Sequence, residues 1–105
     1  MTTETLKKLA QTLLTGGTDT LYTVPGGTTA LVKTIFVVNT DGASTESVKI
    51  WQSGSGAANV ILPAVDLGPG EFGTFDGAIT MAAADTIKAL GGTHVAVTIE
   101  GVEFS

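Results

Sequence analysis

Apolar side chains recur along this chain in short runs, each closed by glycine, proline or an acidic turn residue. The pattern is densest over residues 20–39, TLYTVPGGTTALVKTIFVVN, where the runs 21–24 and 30–38 flank Pro25-Gly26-Gly27. Both runs are rich in β-branched and aromatic residues, which suit a pleated, half-buried surface. Pro-Gly-Gly is strong turn punctuation. The run 30–38 is the longest apolar segment and is expected as a central strand. A loop with Asp41-Gly42 follows, then a strand over 47–52 with Val48 and Ile50 on one side and Lys49 and Trp51 on the other. Residues 53–58 have linker composition. Pro63 assigns the next strand, 59–67, to a sheet edge. After the turn Gly68-Pro69-Gly70, weak alternation over 71–75, a turn at Asp76-Gly77 and a short strand over 78–82 are expected. The chain closes with strands over 86–90 and 94–104. In the last, Val95, Val97 and Ile99 alternate with Ala96, Thr98 and Glu100, and Gly101 marks a bulge or bend. Ile35, Val37, Val97 and Ile99 are expected to be buried together.

The first fifteen residues admit two readings. Leu6, Leu9, Ala10, Leu13 and Leu14 fall on one helical face, with Thr2 or Thr3 as a cap and Gly16-Gly17 as a stop. Residues 9–13 also alternate as a short strand would. Periodicity by itself favours the helix slightly. The rest of the chain gives eight or nine strands at close spacing. That pattern predicts an all-β fold, a two-sheet antiparallel β-sandwich of jelly-roll-like form.

Composition narrows the function. At 105 residues the chain makes one domain. It has no Cys, which excludes disulfides and thiolate metal sites. Five lysines, no arginine and a net charge of −5 argue against nucleic acid, whose phosphates call for a basic patch. No apolar run approaches the ~20 residues of a membrane span. No uninterrupted apolar segment follows Lys7-Lys8, so no signal peptide is expected.

Reactive chemistry is sparse. His94 is the sole histidine, and no Gly-x-Ser-x-Gly elbow or other nucleophile signature accompanies it. It reads as a loop-end surface residue, and a cluster of several histidines around a metal is ruled out. Asp66, Glu71, Asp76 and Asp85 have the spacing of turn residues and make no calcium loop. The glycine pairs are not followed by Lys-Ser/Thr and a helix, as a phosphate cradle requires. No catalytic residue, cofactor or metal site is expected. Tyr22 and Trp51 are amphipathic aromatics that could stack on a sugar. The plainer reading places Tyr22 in the core or at a corner and Trp51 on a half-buried face or subunit contact.

Several segments together carry a resemblance. They are Leu9-Ala10-Gln11, Thr20-Leu21-Tyr22-Thr23-Val24-Pro25, Thr28-Thr29-Ala30-Leu31-Val32-Lys33 with Ile35, and Val37-Val38-Asn39-Thr40. Gly70-Glu71, the run AAADTIKA over 82–89 and VAVTIEGVE over 95–103 extend it. The chain resembles a group of small tailed-bacteriophage virion proteins over nearly its whole length, TLYTVP being the most specific element. Two departures lie in turns: Gly-Gly follows Pro25 where the group prefers Ala-Gly or Ala-Ser, and Ala84 stands where Gly is usual. The resemblance implies a non-enzymatic structural protein of the particle, first of all a capsid decoration (cement) protein. Its partner would be the major capsid protein and its place the outer capsid surface, after synthesis in the host cytoplasm. A tail or fibre component, with carbohydrate binding through Trp51 and Tyr22, is the alternative. The resemblance also favours a strand at 10–14, leaving 1–9 as an N-terminal arm before a domain over 10–105. Exposed sandwich edges favour self-association, and a homotrimer is expected. Leu6, Leu9, Leu13, Tyr22 and Trp51 are the expected capsid or subunit contacts.

Overall fold

The computed structural model describes residues 4–54 and 56–105. Among these residues there are eight strands: β1 (Glu4–Leu13), β2 (Thr18–Thr23), β3 (Thr29–Asn39), β4 (Glu46–Gln52), β5 (Val60–Leu67), β6 (Phe72–Met81), β7 (Thr86–Gly91) and β8 (Val95–Phe104). A 3-10 turn, Ala57–Asn59, precedes β5. The strands form two four-stranded antiparallel sheets, β1-β8-β3-β6 (sheet A) and β2-β7-β4-β5 (sheet B). First pairs with eighth, second with seventh, third with sixth and fourth with fifth. The chain is therefore a long hairpin rolled onto itself, in the two-sheet antiparallel sandwich expected from the strand spacing. No helix among the described residues is long and apolar enough to cross a membrane.

The apolar alternation explains the core. Ala30, Val32, Ile35 and Val37 of β3 face Val95, Val97 and Ile99 of β8 and, across the sandwich, Val48, Ile50, Ile87 and Ala89 of sheet B; all are buried. Ile35 is the register partner of Ile99, and Val37 that of Val97. β3 lies between β8 and β6, the central position its apolar length predicts. β5, which carries Pro63, is an edge strand as expected. The Pro25-Gly26-Gly27 turn closes with Thr28 N–H donating to the Pro25 carbonyl at 3.2 Å, and Gly27 takes φ +73°.

Two segments differ from the sequence reading, and both differ through bulges. The helical option over the first fifteen residues does not occur: β1 is already extended at Glu4, six residues before the expected strand start. Its possible caps Thr2 and Thr3, and the start of the expected arm, lie outside the described residues. Seven positions separate Leu6 from Leu13, an odd spacing that regular alternation would put on opposite faces. An extra residue at Leu9, between the pairs Lys8↔Glu100 and Ala10↔Ile99, returns both to one face. That insertion produced the helix-like spacing. Likewise Asp76-Gly77 is no turn. β6 runs unbroken from Phe72 to Met81 and absorbs one extra residue at Gly77-Ala78, between Thr34↔Asp76 and Val32↔Ile79. A third bulge, at Lys33, faces Glu100 and Gly101. The irregularities line up across all four strands of sheet A. Gly101 is thus not the bulged residue; its neighbours bulge around it.

Candidate functional site

Antiparallel register places the outer residues of sheet A in rows. One row reads Leu13, Ala96, Val38, Phe72, and the next Gln11, Thr98, Phe36, Thr74. A polar row, Lys8, Glu100, Thr34, Asp76, follows beside the line of bulges. Beyond it lies a second apolar row, Leu6, Val102, Leu31, with Thr80 at its end. Phe72 is 70% exposed, Leu6 80% and Leu13 54%. Large apolar side chains so exposed and so aligned are the usual mark of a contact surface. Of the expected contact residues, Leu6 and Leu13 stand on this face, and Leu9 is the half-buried bulge residue between them.

Tyr22 and Trp51 are placed differently. Tyr22 is a core residue of β2, and its hydroxyl donates to the Glu103 carboxylate. Glu103 also takes Lys7 Nζ at 3.1 Å, so this carboxylate joins β8 to the edge strands of both sheets. The Tyr22 hydrogen bond, helped by Lys7, holds the Glu103 carboxyl below its ordinary range, while burial and the same carboxylate push the Tyr22 phenol up. Trp51 is 6% exposed and lies under the Lys49 ammonium, 5.2 Å from the ring centroid. Its register partner on β7 is Lys88, whereas Tyr22 pairs with the core residue Ile87. The two rings thus sit on opposite faces of sheet B, both buried, and form no sugar-stacking platform. Sequence pattern shows that an aromatic is amphipathic but not which neighbours cover it.

Four connections meet at one end of the sandwich: 14–17, 40–45, 68–71 and 92–94. Asn39, fully buried at the end of β3, organises them. Its Nδ2 lies 2.8, 3.0 and 3.1 Å from the carbonyls of Ser44, Leu67 and Gly68, and its Oδ1 accepts Asp41 N–H at 2.9 Å. Thr40 donates both N–H and Oγ1–H to the His94 carbonyl, at 2.9 and 2.7 Å. These bonds bring three side chains together. His94 Nδ1 lies 2.9 Å from Glu46 Oε1 and 3.5 Å from Asp41 Oδ2. Imidazole is half exposed, whereas both carboxylates are mostly covered, with 21% of the Asp41 side chain and 17% of Glu46 accessible. Hydrogen bonding to Glu46 raises the His94 pKa above its ordinary value, and the charge of Asp41 adds to that. Glycine at position 92 leaves room for the Glu46 carboxylate in this position, since a Cβ there would lie 1.6 Å from Glu46 Oε2 and displace the side chain.

His94 is therefore a surface residue, as its sequence position suggested, but it is engaged. Asp41 and Glu46 give no signal in the sequence, because they lie some fifty positions before it in the chain and resemble ordinary loop acids. Three of the other acids singled out have partners of their own. Asp85 Oδ2 accepts Ala82 N–H at 2.9 Å, Glu71 accepts Gly68 N–H, and Asp76 accepts from Thr34 Oγ1 at 3.3 Å. An apolar cleft of about 180 Å³ opens between edge strands β5 and β6, lined by Ile61, Leu62, Val65 and Phe75 over Ile35 and Ile50. No titratable group lines it.

No protein-family profile and no curated protein sequence matches the chain. Solved structures do. A chain of the acidic stable capsid structure of Helicobacter pylori bacteriophage KHP30 superposes with a TM-score of 0.59 at 18% identity, covering 100% of this chain and 94% of that one. The two share a fold. A β-(1,4)-mannanase from Podospora anserina, GH26-CBM35, gives a TM-score of 0.45 at 13% identity over 100% of this chain and 27% of its own. A family 35 carbohydrate binding module from Clostridium thermocellum gives 0.39 at 10% identity, with 97% of each chain covered. Likeness at the level of these last two carries no functional weight.

Proposed function

We propose that this protein is a non-enzymatic structural component of a tailed-phage virion, and specifically a decoration protein that attaches to the outside of the assembled capsid as a homotrimer. One observation carries the reading: the fold matches a chain of a phage capsid structure from end to end, with little of either chain left over. The outer face of sheet A supports it. Two apolar rows, anchored by Leu6 on one side of the bulge line and by Leu13 and Phe72 on the other, suit attachment to a protein lattice. Leu6, Leu9 and Leu13 lie on the edge strand β1, and Tyr22 and Trp51 support the fold from within. The major capsid protein is the partner this face would meet.

The mechanism is mass action. A protein that binds only the intact lattice stabilises it by about 2.7 kcal/mol per site at a hundredfold excess over Kd. Such terms add across the many sites of a shell, and the net charge of −5 keeps decorated particles apart. The test is to determine the protein's mass in solution and sediment it with undecorated capsids of its own phage. A trimer that pellets with capsids and raises their melting temperature is the expected result. Absence from capsids with incorporation into tails would replace this reading with the tail or fibre alternative.

A further inference from the structure

We propose that Asp41, Glu46 and His94 form a binding site for one divalent transition-metal ion of the zinc type. The proposal stands apart from the virion reading and rests on three observations. The first is geometric. Nitrogen and oxygen ligands about 2.0–2.2 Å from a tetrahedral zinc lie roughly 3.3–3.5 Å from one another. His94 Nδ1 is 3.5 Å from Asp41 Oδ2 and 2.9 Å from Glu46 Oε1, and one ligand atom from each residue fits within 4.8 Å. An ion in place of the shared proton would draw the three ligand atoms to that common spacing. The second is electrostatic. Two largely covered carboxylates face one another here, and among the described residues the imidazole is the only cationic group within salt-bridge distance of either. An ion between them would supply a counter-charge that the described residues otherwise offer only through His94.

The third is the supporting framework. Asp41 Oδ1 accepts Ala43 N–H at 2.9 Å, which turns Oδ2 toward His94. Thr40 fixes the His94 backbone, Asn39 fixes the Asp41 backbone, and Gly92 clears the space for Glu46. Ligands held by outer partners in this way are characteristic of metal sites. One nitrogen and two carboxylate oxygens favour zinc and its neighbours over magnesium or calcium, which prefer all-oxygen shells. Binding would clamp the 40–45 connection and the start of β4 to the 92–94 connection. Metal and proton compete for Nδ1, so the site holds a positive charge in acid as imidazolium and near neutrality as the bound ion.

The experiment uses untagged full-length protein stripped with chelator. Because His94 is the sole histidine, its imidazole proton resonances report on the site without any substitution. Titration with zinc chloride at neutral pH should shift them with one-to-one saturation and raise the melting temperature, whereas magnesium and calcium should do neither. His94→Ala and Asp41→Asn, the latter keeping the acceptor for Ala43 N–H, should each weaken zinc binding by about tenfold or more. Unmoved imidazole resonances, an equal response to calcium, or full affinity in either folded variant would overturn the proposal.

Discussion

Gly101 lies against Leu31 so closely that a Cβ on it would stand 2.2 Å from the Leu31 carbonyl oxygen and 3.1 Å from Val32 Cα. Both obstacles are backbone of the central strand, so neither can rotate away. Gly101→Ala should therefore cost at least about 1–3 kcal/mol, the usual range for overpacking. Chemical denaturation of the variant beside Gly26→Ala, where a Cβ meets open space, gives the comparison. Equal stabilities would mean that β8 and β3 do not approach as described.

Ile99 is fully buried opposite Ile35. Truncation to alanine removes three methyl or methylene carbons from a packed site and should cost about 2–4 kcal/mol. A thermal melt that barely moved would contradict the register of β8.

Ala84 sits at φ +73°, the left-handed region, which costs a residue bearing a Cβ roughly 1–2 kcal/mol. Ala84→Gly should relieve the strain and raise stability by up to about 1 kcal/mol, after the entropy that glycine adds to the unfolded chain. A lower melting temperature would count against the turn geometry.

His94 makes stability depend on pH. Its pKa is higher folded than the ordinary 6.5. In metal-free protein its contribution is therefore complete below pH 6.5 and fades as pH rises through the folded value. Glu103 acts oppositely: its lowered folded pKa gives a contribution present near neutrality that is lost as acid protonates it. Melting temperatures in chelator should decline in the native protein relative to His94→Ala as pH rises above 6.5, the direction set by that raised pKa. Parallel curves would show that the two carboxylates do not engage the imidazole.

Phe72→Asp and Leu13→Asp alter the exposed apolar row of sheet A without touching the core. Each should shift stability by no more than about 0.5 kcal/mol while abolishing capsid co-sedimentation or trimer formation. Retention of both by the double variant would remove this face from the proposed contact.

Most of the fold was legible because period-two alternation survives wherever pairing is regular, as in β3 and β8. It failed at the bulges, where one extra residue mimics a helical spacing at Leu6, Leu9 and Leu13 or a turn at Asp76-Gly77. The candidate site was less legible for a different reason. The sequence shows His94 alone, and its neighbourhood with Asp41 and Glu46 exists only once β3, β4, β7 and β8 end side by side. The chemistry there depends on Asn39 and Gly92, residues whose roles are set by burial and close approach rather than by motif.

The rolled-hairpin pairing also sets an order in time. Trp51 and Val60, partners in the innermost pair, are nine positions apart, whereas Glu4 and Phe104, partners in the outermost, are separated by one hundred. Each closure in that series shortens the effective loop left for the next, so zipping outward from β4–β5 avoids the full entropic penalty of joining the distant ends at once. A chain dominated by such distant partners folds slowly, on the millisecond-to-second scale typical of β-sandwiches. β1, held by β8 alone within sheet A, is the last strand to arrive and the first whose amides should exchange with solvent.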